Sequence, residues 1–144
     1  MSTNRIHSKG DYRHEEAYAG EAGIYPGMLL ELNSSGKVLK QNTEGAPAEI
    51  AIAEEDALQG HTVDTVYANG EIVSYMLPVK GAEVNVRLAT GQTITVGEGL
   101  IADADGCVES ADNAPSGTEY NILFTAMEAK TTTSATALIR ARVR

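Results

Sequence analysis

Between residues 65 and 96 the chain reads TVYANGEIVSYMLPVKGAEVNVRLATGQTITV, and this stretch limits the available folds more than any other. Val84, Val86 and Leu88 alternate with Glu83, Asn85 and Arg87, a period of two that turns one apolar row inward and one polar row outward. Ile94 and Val96 alternate with Thr93 and Thr95 in the same sense. Asn69-Gly70 suits a tight turn with positive φ, and Lys80-Gly81 and Thr90-Gly91 offer further reversals. The stretch is predicted to form the inner half of a small β-barrel onto which the rest packs. It holds no cluster of reactive side chains.

The remaining segments extend the same pattern. Pro26-Gly27 sets a turn, after which Met28, Leu29, Leu30, Glu31 and Leu32 pair across the loop 33–36 with Lys37, Val38 and Leu39. Residues 48–53 read as a short strand followed by a helical turn closed by Gly60. Residues 100–109 form a hairpin reversing at Asp105-Gly106, residues 110–117 a loop, and residues 120–126 a strand. Residues 130–136 are a loop or an exposed edge. In residues 138–144, Ile139, Ala141 and Val143 share one face and Arg140, Arg142 and Arg144 the other. That arginine row is either a guard on an edge strand or a docking stripe. Fourteen glycines, one phenylalanine and no tryptophan suit such a turn-rich body, and 144 residues suffice for one core without staples. The fold class expected is mainly β: a small β-barrel or β-sandwich, β-tulip-like, with short helical turns.

Residues 1–22 stand apart. They hold few aliphatic side chains and no sustained period, so an extended N-terminal arm, ordering against a partner, is expected ahead of a folded unit at 23–144. The formal charge of −9 argues against wholesale nucleic-acid binding, since phosphates are met by Lys and Arg. Its distribution is uneven: Arg5, Lys9 and Arg13 at one end and Arg140, Arg142 and Arg144 at the other flank an acidic middle. These six, with His7 and Tyr12 of the same arm, are the candidate contact residues for an acidic neighbour.

Motifs for chemistry fail on context. His14-Glu15-Glu16 lacks the second histidine of a zinc-protease helix, and Gly97-Glu98-Gly99 precedes a hairpin instead of a phosphate-binding helix. Asp103-Ala104-Asp105-Gly106 resembles part of a calcium loop but lacks the third acidic ligand and the flanking helices. Glu54, Glu55 and Asp56 are adjacent, cannot converge on one point, and read as a solvated turn. The single cysteine, Cys107, excludes an internal disulfide, and its acidic neighbours raise its pKa. No catalytic set, metal set or cofactor loop is expected. There is no apolar run of transmembrane length and residues 1–20 are polar, so no membrane association and assembly in a cytosol are the expectations.

The order of the pieces is itself recognisable. The runs YPGMLLEL at 25–32, YANGEIV at 67–73, GAEVNVRL at 81–88, GQTITVGEGL at 91–100 and DGCV at 105–108 together resemble the capsid cement, or head-decoration, proteins of tailed bacteriophages, over residues 23–127. The resemblance implies a small β-rich, non-enzymatic clamp on the outside of the expanded head, assembled in the host cytoplasm. Its partner would be the major capsid protein, whose neighbouring subunits it bridges against the pressure of packaged DNA. A homo-oligomer, a trimer in preference to a dimer, goes with that role. The alternative reading is a β-barrel carbohydrate- or ligand-binding module of a phage tail or surface assembly; it needs a concave face with exposed aromatics, and Tyr67 and Tyr75, which flank the central hairpin, can both be core residues by alternation.

Overall fold

The computed structural model describes residues 5–45, 50–114 and 120–144. In chain order the strands are β1 (His7–Lys9), β2 (Tyr12–Tyr18), β3 (Leu30–Leu32), β4 (Val38–Lys40), β5 (Ile52–Ala53), β6 (Ile72–Pro78) and β7 (Glu83–Leu88). They continue with β8 (Thr93–Ile94), β9 (Gly99–Ala102), β10 (Val108–Ser110), β11 (Phe124–Ala126), β12 (Lys130–Thr131) and β13 (Ala137–Val143). Helical structure among the described residues is confined to short 3-10 turns, one of them Ala57–Gln59 closed by left-handed Gly60.

Five strands close a barrel in the order β7-β10-β9-β11-β13, with β13 returning to β7 over six residue pairs from Ala137↔Leu88 to Arg142↔Glu83. All contacts are antiparallel except β7–β10, which is a short parallel one at Val108↔Leu88. Because β10 touches only the far end of β7, β1 fills the near end, pairing His7 with Val84 and Lys9 with Glu83. The alternation read from sequence holds here: Val84, Val86, Leu88, Leu100, Ala102, Val108, Phe124, Ile139 and Ala141 are all fully buried in one cluster. Phe124, the only phenylalanine, lies in that interior, where each large apolar side chain contributes about 1.5–3 kcal/mol.

A second layer lies beside the barrel. β6 runs between β2 and β5 in an antiparallel sheet, and the hairpin β3–β4 packs on it through Leu30, Val38, Ala53, Tyr67, Val73 and Tyr75. The residues 65–96 therefore do not form half of the barrel. Lys80-Gly81, with Gly81 at φ +92°, carries the chain from β6 in this layer to β7 in the barrel, and β8 pairs outside both with β12. The alternation also ends at Ile94, since Val96 is exposed.

Two further expectations change. Residues 5–22 do run extended, but they are hydrogen-bonded into the body: β1 lies on β7, and β2 pairs with β6 along seven residues. Their composition hid this because backbone ladders need no apolar side chain; Ile6 and Ala19, both fully buried, anchor the two ends. The C-terminal strand is not an edge. β13 has β7 on one side and β11 on the other, so its arginine row guards nothing and faces outward from a closed wall.

Close packing explains one glycine. Gly27 sits at φ +90°, and a Cβ there would lie 2.6 Å from Leu138 Cδ2 and 3.3 Å from the Arg87 nitrogen and the Asn85 carbonyl oxygen. Its carbonyl accepts from the Arg87 N–H at 2.8 Å. This approach covers the polar row of β7: Asn85 and Arg87 point away from the barrel interior, yet both are buried. The Arg87 guanidinium donates to the Pro26 carbonyl at 2.8 Å and the Val63 carbonyl at 2.9 Å and stacks on the Tyr25 ring.

Candidate docking surface

β7 brings the two basic ends of the sequence together. Glu83 has Lys9 of β1 as its register partner on one side and Arg142 of β13 on the other. Two residues on, Asn85 faces Arg140, while its amide Nδ2 donates to the Arg5 carbonyl at 2.9 Å and its backbone N–H to that of Ile6 at 2.7 Å. Residues in register on neighbouring strands share a face. Lys9, Arg140 and Arg142 thus lie on one outer wall, with the Arg5 backbone at its margin.

Only one carboxylate of β7 answers this charge. Glu83 Oε1 is 3.7 Å from Arg140 Nε, and Glu83 Oε2 is 3.9 Å from Arg142 Nη2. Both guanidiniums are about half exposed, and such loose pairs contribute at most about 1 kcal/mol, leaving most of their donors open. Glu128 accepts from the Arg140 backbone N–H at 2.9 Å, and the Arg140 guanidinium reaches the Met127 carbonyl at 3.2 Å. Arg144 Nε donates to Thr125 Oγ1 at 2.9 Å, which holds the last arginine flat against β11.

The other sequence candidates stand elsewhere. Arg5 is highly exposed and lies 4.0 Å from Glu55. His7 bonds the Gly10 carbonyl oxygen at 2.7 Å and its ring rests 4.6 Å from that of Tyr12, so this pair stiffens the β1–β2 turn. Arg13 is on β2, its Nε 2.6 Å from Glu15, at the rim of an open groove of about 450 Å³ that also meets Leu32, Tyr75 and Leu77. It is not part of the β7 wall. Tyr67 and Tyr75 are core residues, 2% and 8% exposed, so neither offers an open ring face for stacking a sugar.

Glu54, Glu55 and Asp56 do diverge, but the first two are not solvated. Glu55 accepts from the Ile6 N–H at 3.1 Å, Glu54 lies 3.5 Å from His14 Nδ1, and Asp56 takes Gln59 Nε2 at 2.6 Å. Burial raises the Glu54 pKa against the opposing influence of His14. Glu54 and Glu55 fasten the N-terminal strands, a role that adjacency in sequence could not reveal. Cys107 is buried beside Met28 and Ala89, and burial, followed by Asp103, pushes its thiol up to about 11, so it stays protonated at neutral pH. Sequence reasoning also missed a carboxylate group at Glu44, Asp103 and Glu109, where the 41–45 segment meets the β9–β10 hairpin.

By class, then, this is a small closed β-barrel carrying a side sheet and a hairpin, with a basic wall built on its central strand. No protein-family model matches the chain, and no curated protein does. Among solved structures it is similar to the N base of the head fiber gp8.5 in bacteriophage phi29, with a TM-score of 0.58, 13% identity, and coverage of 93% of this chain and 95% of that one. At that identity the likeness is one of fold.

Proposed function

We propose that this chain is a structural protein of a tailed-phage virion that sits on the outer surface of the head. The observation that carries the reading is the likeness of fold, across nearly the whole of both chains, to the base of a phage head fiber. In finer detail the protein is a decoration, or cement, protein: it binds the expanded head and bridges neighbouring major capsid subunits, as a homo-oligomer with a trimer favoured over a dimer. The wall of Lys9, Arg140 and Arg142 supports this reading because it is a rigid positive patch on an otherwise acidic molecule, suited to an acidic ridge of the coat. Many such weak contacts on a repeating lattice multiply through avidity.

Co-sedimentation tests it. Purified protein is mixed with expanded and unexpanded empty heads of its phage and the particles are pelleted. Saturable, stoichiometric binding to expanded heads is expected, and binding to neither form overturns the proposal. Light scattering on the free protein reads the oligomer; a monomer that stays monomeric when head-bound would remove the bridging trimer while leaving attachment in place.

A further inference from the structure

We propose that Glu44, Asp103 and Glu109 form a calcium-binding site that pins residues 41–45 onto the β9–β10 hairpin. One carboxylate oxygen from each lies within 4.8 Å of one from each of the others. That fits inside the roughly 4.6–5.2 Å that two oxygens span across a Ca²⁺, and Ca²⁺ accepts irregular sets from separate segments whereas Mg²⁺ demands near-ideal octahedra.

The cluster is not merely a group of surface acids. Glu109 is 7% exposed, its carboxylate is turned toward the other two, and its Oε1 has no hydrogen-bond partner among the described residues. A buried carboxyl oxygen without a donor is costly, and two further carboxylates beside it must be balanced by a shared proton or by a bound cation.

The backbone is built to hold the three in place. Gly45 N–H donates to the Ala102 carbonyl at 2.9 Å, Gly106 N–H to the Gln41 carbonyl at 2.8 Å, and Asn121 N–H to the Gly45 carbonyl at 2.8 Å. Glu109 is fixed in β10 opposite Ile101. Asp103 uses one oxygen to accept from the Ala104 N–H at 2.8 Å, and a carboxylate has a second. Glu44 is exposed, which gives the ion an entry path and room for water ligands.

Calorimetry and thermal unfolding of the full chain, stripped with chelator at neutral pH, test this with Ca²⁺ and Mg²⁺ as the probes. Saturable Ca²⁺ binding is expected with a midpoint of about 1 mM or tighter, together with a rise in Tm. Glu44→Gln, at an exposed position that keeps the fold, weakens Ca²⁺ binding by ~tenfold or more. Glu109→Gln, which keeps the shape of the side chain but cannot supply an anionic oxygen, abolishes the rise in Tm with Ca²⁺. No heat and no Tm change up to about 10 mM Ca²⁺ overturns the site. So does an undiminished Ca²⁺ response in Glu44→Gln, and an equal response to Mg²⁺ overturns its assignment to calcium.

Discussion

At the residue scale, Gly27 joins the side layer to the barrel and His14 ties β2 to the end of β5 within the side layer. Gly27→Ala places a methyl against Leu138 and the β7 backbone in a left-handed conformation. The Leu138 side chain can yield, but the Arg87 nitrogen and the Asn85 oxygen cannot. The conformation alone costs ~1–2 kcal/mol and the crowding adds to it, so a lower denaturant midpoint with unchanged slope is expected. His14 reports on pH. Desolvation lowers its imidazole pKa, but Glu16 at 3.4 Å and Glu54 at 3.5 Å outweigh that and raise it on balance. A histidine raised on folding adds stability that is fully present below its unfolded value of about 6.5 and is lost as pH climbs through the folded one. Wild type should therefore melt above His14→Gln at about pH 5.5, and the two should converge by about pH 8. A gap independent of pH would assign the difference to packing.

At the scale of elements, β1 and β2 carry the most instructive prediction. Ile6→Ala empties a fully buried position in the main core and should cost about 2–5 kcal/mol in denaturant titrations. A loss of under ~0.5 kcal/mol would mean that the strands hang loosely on the body. The same strands mark the limit of what sequence shows. β13 and the β9–β10 hairpin were legible because their apolar rows and turn residues are local signals; Asp105, at φ +61°, and Gly106, at φ +77°, make the reversal that Asp-Gly announces. β2 was not legible, since Tyr12–Tyr18 exposes most of its side chains and is held by its ladder to β6. The parting of β6 and β7 was equally hidden, because a short turn looks the same whether it joins neighbours or crosses between sheets. Of the candidate site, the individual cations were readable, but their meeting around Glu83 is a matter of register, and the group at Glu44, Asp103 and Glu109 joins residues far apart in the chain.

For the whole molecule, charge and closure work together. Arg140→Glu with Arg142→Glu should leave Tm within a few degrees of wild type, since both side chains are half exposed and loosely paired, yet weaken attachment to expanded heads by ~tenfold or more. Full retention of binding would move the contact to another face. The closing strand has a different consequence, for synthesis. β13 seals the barrel against both β7 and β11, so a nascent chain lacking residues 137–143 presents two unsatisfied ladders and an open apolar interior. On the ribosome such an intermediate is sticky, and pairing that reaches back across the chain is slow. Premature termination near residue 130 should therefore yield aggregates instead of a smaller soluble protein, and the last strand acts as the latch that releases the chain from its most vulnerable moment.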